Sequence, residues 1–407
     1  MVATSKLRKT SSSGFDYFRQ PVLMLNLVAL WMNLVFPKSG FYVGAVPVTL
    51  GYVALGLGSS AVVIKLLLRQ HSLTKAELAA ILLLLGNGFF QLLTIVFRGS
   101  STEINVLFGH LTSLSVVPIL ALLSGGYIRR QVSRGQVYRL MLWALVIVSV
   151  FGVINFIGLN VFKRMIGVPF LTFTGNEFDV STKFIDRGNA IKLISTYNNG
   201  NILGVNLIIW CNLVLYGFPA VAKKSQRWFL FFLGILVRTV LLLTLSRTVW
   251  IVMVFNEIFL RVFVVRRVNQ IVSAVFVLTM LFVVVFVAAG FFAKNPLDFL
   301  FDSNLGARRS QLEFNWSLWP NRAFAGTAEI VYAGMLSNFG VVGLGLFVLT
   351  WAWPAVIAPI DFEGRLVQMG LFAYLLALGA DGAFIYVPTQ ATYWFMVAWV
   401  LYRPRAR

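Results

Sequence analysis

Arginine and lysine on the outer side of a membrane protein can hold a phosphate, and several positions in this chain invite that reading. Leu245-Ser246-Arg247-Thr248 forms a tight turn between two apolar runs and places a permanent guanidinium at a membrane surface. A guanidinium presents paired donors that match phosphate oxygens and stays charged at any physiological pH. The competing reading is an arginine that merely snorkels from a helix end. Two long segments, 160–200 and 292–330, add nine cations: Lys163, Arg164, Lys183, Arg187, Lys192, Lys294, Arg308, Arg309 and Arg322. They stand beside Glu177, Asp179, Asp186, Asp298, Asp302, Glu313 and Glu329, so each charge taken singly fits an ordinary solvated loop. As a set beside a bilayer, the arginines suit a lipid-linked phosphate or diphosphate. No His or carboxylate spacing suggests a metal, and neither a P-loop nor a GxGxxG fingerprint is present, so no metal or cofactor is expected. The single cysteine, Cys211, excludes an intramolecular disulfide.

The elements that position these residues follow from composition. Of 407 residues, 59% are hydrophobic and 12% charged, with a mean hydropathy of +0.83, which excludes a soluble globular or disordered chain. A helix needs roughly 20 residues to cross about 30 Å of hydrocarbon, and about twelve apolar runs meet that requirement. They are Pro21 to Pro37, Tyr42 to Leu68, Glu77 to Phe97, Ile104 to Tyr127, Leu140 to Leu159, Asn201 to Phe218, Trp228 to Leu245, Thr248 to Val265, Ile271 to Phe292, Val331 to Ile357, Leu366 to Val387 and Thr389 to Tyr402. The expectation is an all-α polytopic membrane protein with one integral membrane domain over residues 1–407. The net charge of +20 is read by position: basic blocks such as Lys6-Leu7-Arg8-Lys9, Arg129-Arg130, Lys223-Lys224, Arg266-Arg267 and Arg403 to Arg407 fall on one side, and the short loops of the other side carry only Lys38, Arg98 and Arg247. By the positive-inside rule both termini are cytoplasmic, and segments 160–200 and 292–330 lie outside. Their aromatic stretches, Val168-Pro169-Phe170-Leu171 and Phe314-Asn315-Trp316-Ser317-Leu318-Trp319-Pro320, predict order rather than a free linker.

Ionisable residues within the spans need partners. Arg238 and Glu257 fall at similar depth in adjacent antiparallel helices and are expected to pair, with Arg261 competing for Glu257 from four residues on. Asp381, in Leu378-Gly379-Ala380-Asp381-Gly382, is read as an acid inside the eleventh run, facing either a polar cavity or neighbouring helices. His110 fits a buried histidine with a hydrogen-bond partner, and His71 a solvated turn.

Several of these segments occur in an order that resembles one family. Lys192-Leu193-Ile194-Ser195-Thr196-Tyr197-Asn198-Asn199-Gly200-Asn201 resembles its cation-to-Asn stretch, and Leu245-Ser246-Arg247-Thr248 its Ser-Arg turn. Gly306-Ala307-Arg308-Arg309 resembles the arginine segment of its large outer loop, and Glu329-Ile330-Val331-Tyr332 through Asn338-Phe339-Gly340-Val341-Val342-Gly343 the end of that loop. The chain is thus similar to the bacterial O-antigen polymerase and ligase superfamily. The ligases carry a histidine where this chain has Glu329, which favours the polymerase. An arginine expected near Lys192 is absent, and Arg187 stands nearby.

The resemblance implies a GT-C-like glycosyltransferase architecture in a bacterial inner membrane, with a periplasmic site and no metal. It further implies transfer of a glycan from undecaprenyl diphosphate to a sugar hydroxyl of another lipid-linked repeat unit. Arg247, Arg308, Arg309, Lys192 and Arg187 would bind the diphosphate, with Arg247 also catalytic, and Glu329 would serve as base. A chain-length regulator is an expected partner; nucleic acid is not. The alternatives are a ligase acting on lipid A-core and, from a different class, a proton-coupled secondary transporter.

Overall fold

The computed structural model describes residues 20–43, 46–98, 104–175, 186–187, 190–218, 224–265, 279, 311, 316–320, 324, 328–357, 361–382 and 386–402. These are predominantly helical. The first helix, α1 (Pro21–Val35), starts on a proline, whose missing N–H costs nothing in a first turn. A short hairpin follows, β1 (Gly40–Val43) against β2 (Val46–Thr49), and Thr49 caps α2 (Leu50–Leu67) by accepting from the Tyr52 N–H at 3.2 Å. Thr74 and Glu77 form a reciprocal cap on α3 (Lys75–Arg98). Beyond it, α4 (Ile104–Leu111) runs through a widened π-type turn, Thr112–Val116, into α5 (Val117–Gln131). Next comes α6 (Arg134–Asn160), started by the Ser133–Gln136 box.

After the strand pair β3 (Asp186–Arg187) and β4 (Ala190–Ile191) come α7 (Gly200–Asn212), α8 (Lys224–Leu243) and α9 (Arg247–Phe259). The last three are α10 (Val331–Val356), α11 (Phe362–Ala377) and α12 (Val387–Leu401).

Among the described residues, seven helical stretches are long and apolar enough to cross a membrane: Leu50–Leu67, Lys75–Arg98, Val106–Gln131, Arg134–Asn160, Gly200–Gly217, Gln226–Leu243 and Val331–Val356. Their outward side chains, with those of α9, include Leu57, Phe89, Phe97, Trp143, Phe231 and Ile251, all exposed, and such a surface is stable against lipid but not against water. The protein is therefore membrane-embedded. At the centre α12 lies against α5 so closely that a Cβ on Gly125 would come within 2.8 Å of the Ala398 methyl.

Several charged and polar side chains within this apolar mass are paired. Arg238 donates to Glu257 at 2.5 Å and to the Tyr216 hydroxyl at 2.8 Å, and Arg261 reaches the second Glu257 oxygen at 3.3 Å, so Glu257 serves both expected partners at once. Asn212 and Asn256 exchange amide hydrogen bonds, and Asn206 links Tyr197, Trp210 and Thr392. His110 meets Gln91 at 2.9 Å, as a buried histidine should.

Three expectations change. The run from Tyr42 opens with the hairpin, so its helix begins only at Leu50. The run from Leu366 stops being helical at Ala377, where Gly379-Ala380 turns the chain, so Asp381 stands beyond a helix end and not inside a span. The run from Val331 is broken at Gly340 (φ +68°, ψ −175°), backbone space that is essentially reserved for glycine. The run Ile271 to Phe292, apart from Thr279, lies outside the described residues, as do Arg308 and Arg309.

Candidate functional site

One end of the helix bundle gathers the loops that follow or precede α1, α6, α8, α11 and the starts of α7, α9, α10 and α12. The turn between α8 and α9 is rigid for local reasons. Leu245 takes a left-handed conformation (φ +49°), the Trp250 indole donates back to the Leu242 carbonyl at 2.9 Å, and Ser246 caps α9 through the Val249 N–H. Arg247 thereby becomes the first residue of a 13-residue helix, half-buried beside a helix N-terminus whose free N–H groups and dipole favour an anion.

The segment 192–200 is stitched to this turn. The Leu193 N–H donates to the Leu243 carbonyl at 2.9 Å. Gly200 approaches so closely that a Cβ there would lie 2.8 Å from the Leu193 oxygen and 2.9 Å from the Thr244 oxygen. Ser195 and Asn198 both adopt positive φ, which coils the segment tightly enough for Asn199 to cap α7 through the Asn201 N–H at 2.9 Å.

This geometry delivers a buried polar chain. Lys192 Nζ donates to Asn201 Oδ1 at 3.0 Å, and Asn201 Nδ2 donates to Asp381 Oδ2 at 2.7 Å. Lys192 and Asp381 are 4% and 5% exposed, so neither is a solvated surface charge. A neutral amide joins a cation to an anion, and bringing opposite charges together in this way is what makes their burial tolerable. Glu329 backs onto the same turn: a Cβ on Gly382 would sit 3.2 Å from the Glu329 Cα, and the Val331 N–H donates to the Leu378 carbonyl at 3.1 Å. Its side chain is exposed, at the rim of the buried chain.

Of the residues singled out from sequence, Lys192 and Glu329 thus meet around Asp381, and Arg247 belongs to the turn on which the Lys192 segment packs. Arg187 lies in β3, paired with Ala190, and its side chain is outside the described residues, as are Arg308 and Arg309 entirely. Sequence reasoning missed Asn201 as the bridge and left Asp381 unassigned. The available signal was an Asn at a predicted helix start and an acid flanked by glycines, with nothing to show that they meet across 180 residues.

The opposite end is also charged but differently wired. Arg130 pairs with Glu77, and Glu363 accepts from Tyr138 and lies 3.8 Å from Arg129 and 3.2 Å from Arg134. Glu363 lies in the first turn of α11 and Asp381 four residues past its end, so the 16-residue helix, about 24 Å long, separates the two clusters. His71, expected to be solvated, instead faces Arg130 at 3.0 Å and Tyr127 edge-on. Burial and the Arg130 guanidinium hold its imidazole below the ordinary histidine range.

Among the described residues no group of three or more His, Cys, Asp or Glu could hold a metal ion. What the described geometry offers is a guanidinium at a helix N-terminus, where an anion is favoured, and carboxylates at the same end of the bundle. Fold and site together define a helical, bilayer-embedded protein with a mixed-charge cluster at one end of its bundle. No protein-family model and no curated protein matches the chain.

Proposed function

We propose that the protein is an O-antigen polymerase-like glycosyltransferase. It transfers a glycan from an undecaprenyl diphosphate carrier to a sugar hydroxyl of another lipid-linked repeat unit, at the periplasmic face of a bacterial inner membrane. The observation that carries this reading is the convergence of Lys192, Asn201, Asp381 and Glu329 beside the turn bearing Arg247, at the bundle end away from Arg129, Arg130 and Arg134. In this reading the chain crosses the bilayer about twelve times with both termini cytoplasmic, in a GT-C-like arrangement.

The chemistry asks little of the protein beyond charge and position. The acceptor hydroxyl oxygen forms a bond to the anomeric carbon, and the bond from that carbon to the diphosphate oxygen breaks. The electron pair leaves with the polyprenyl diphosphate. Arg247, supported by the α9 N-terminus and by Arg308, Arg309 and Arg187, neutralises the departing charge, and a well-placed donor of this kind contributes about 3 kcal/mol to a transition state. Glu329 takes the hydroxyl proton. Lys192, being buried, acts through the Asn201–Asp381 chain and sets the field around the site.

Incubating the purified protein with lipid-linked single repeat units tests the proposal. A ladder of lengthened products on a gel supports it. Transfer that occurs only when lipid A-core is supplied points to a ligase, and substrate-driven proton uptake without polymer points to a transporter.

A further inference from the structure

The break in α10 and the outer-loop segment Trp316 to Pro320 are built for one another. Gly340 lies nine residues into α10, about 14 Å below its start. Its conformation strips the next N–H groups of their helical acceptors, and the loop supplies replacements: the Val341 N–H donates to the Ser317 carbonyl at 2.9 Å, and the Val342 N–H to the Leu318 carbonyl at 3.3 Å. The approach is close enough that a Cβ on Gly340 would lie 2.7 Å from the Leu318 oxygen.

While the segment's backbone faces the helix, Trp316, Leu318 and Trp319 are 71%, 61% and 54% exposed, a face suited to lipid and its interface. A second contact reinforces the first. Phe324 is buried against His110 (ring centroids 5.0 Å apart) and Phe339 (5.9 Å), and His110 also stacks on Phe339 at 5.6 Å. The residue preceding the hinge and the chain just after the strap therefore share one aromatic stack.

Backbone groups cannot be left bare at this depth in a bilayer. The broken helix thus needs the docked strap, and an undocked strap needs an unbroken helix, in which Val341 and Val342 donate to the carbonyls of Ser337 and Asn338. We infer that α10 and residues 316–320 form a two-state element hinged at Gly340: strap docked with the helix broken, or strap released with the helix continuous. Changing state reorients the half of α10 that begins beside Glu329 and is tied to Leu378. This inference concerns the conformations of the chain and stands whether or not the proposed reaction does.

The test uses the full-length protein in nanodiscs with the exposed pair Leu318→Cys and Val341→Cys, Cys211 being buried. A short bifunctional methanethiosulfonate should join the pair readily, and the amides of residues 341 and 342 should exchange slowly. Adding Gly340→Ala should cut cross-linking by about tenfold or more while those amides stay protected, because the helix closes over the gap. If the variant does not accumulate, Trp316→Ala with Trp319→Ala should likewise cut cross-linking while leaving those amides protected. Cross-linking that persists, or amides that become fast-exchanging when the strap leaves, overturns the two-state element.

Discussion

Replacing Asn201 by aspartate sets a second carboxylate against Asp381, where an amide N–H now donates at 2.7 Å. Two carboxylates about 3 Å apart repel by about 5 kcal/mol at an effective dielectric of about 20. Protonating one of them at pH 7 instead costs about 4 kcal/mol from an ordinary Asp pKa of about 3.9, which caps the penalty. Lys192, whose ammonium already touches position 201 at 3.0 Å, recovers part of it, leaving a destabilisation of about 2–4 kcal/mol. The second substitution decides the matter. Adding Asp381→Asn restores the count of one cation and one anion and supplies a new amide donor, so the double variant should regain most of the lost stability. Asp381→Asn alone should be destabilising, because it leaves Lys192 buried with no carboxylate at position 381. The assay is SDS-induced unfolding of the purified protein in detergent, followed by circular dichroism, closed as a double-mutant cycle with a coupling of about 2 kcal/mol or more. A single Asn201→Asp loss below about 1 kcal/mol, or a double variant no more stable than the sum of the two singles, would refute the bridged cluster.

Arg247→Ala should abolish polymer in the ladder assay while the protein still reaches the membrane, and normal chain lengths would remove Arg247 from the reaction. Glu329→Gln should slow polymerisation by about 10²-fold or more if Glu329 takes the hydroxyl proton, whereas an unchanged rate excludes that role. Glu257→Gln removes the carboxylate that Arg238 and Arg261 share and should cost about 3–5 kcal/mol by the same unfolding measurement, a loss that Arg238→Met in the same chain should partly relieve. His71 has a depressed folded-state pKa, so its contribution to stability is present above the ordinary histidine range and is lost as pH falls through the lower folded value. His71→Gln should flatten that acid-side decline in a melting-temperature series, and an unchanged pH profile would dissociate the decline from His71.

Composition and hydropathy by themselves specify that this chain lives in a bilayer, because no aqueous fold tolerates such a surface, and every apolar run outside Ile271 to Phe292 contains a helix. The turn at Arg247 is equally readable, since a Ser cap before an apolar run is a local signal. Pairing of Arg238 with Glu257 also follows from sequence, as a buried charge must find a partner at its own depth. What required three dimensions is contact between distant segments. The bridge from Lys192 through Asn201 to Asp381 spans 189 positions and depends on how three loop ends pack. A glycine within an apolar run reads as ordinary helix, and Gly340 becomes a hinge only because residues 316–320 offer carbonyls that satisfy the N–H groups its conformation exposes. Hydrogen bonds that cross from one element to another leave no periodicity in the chain, and it is these that assemble the site.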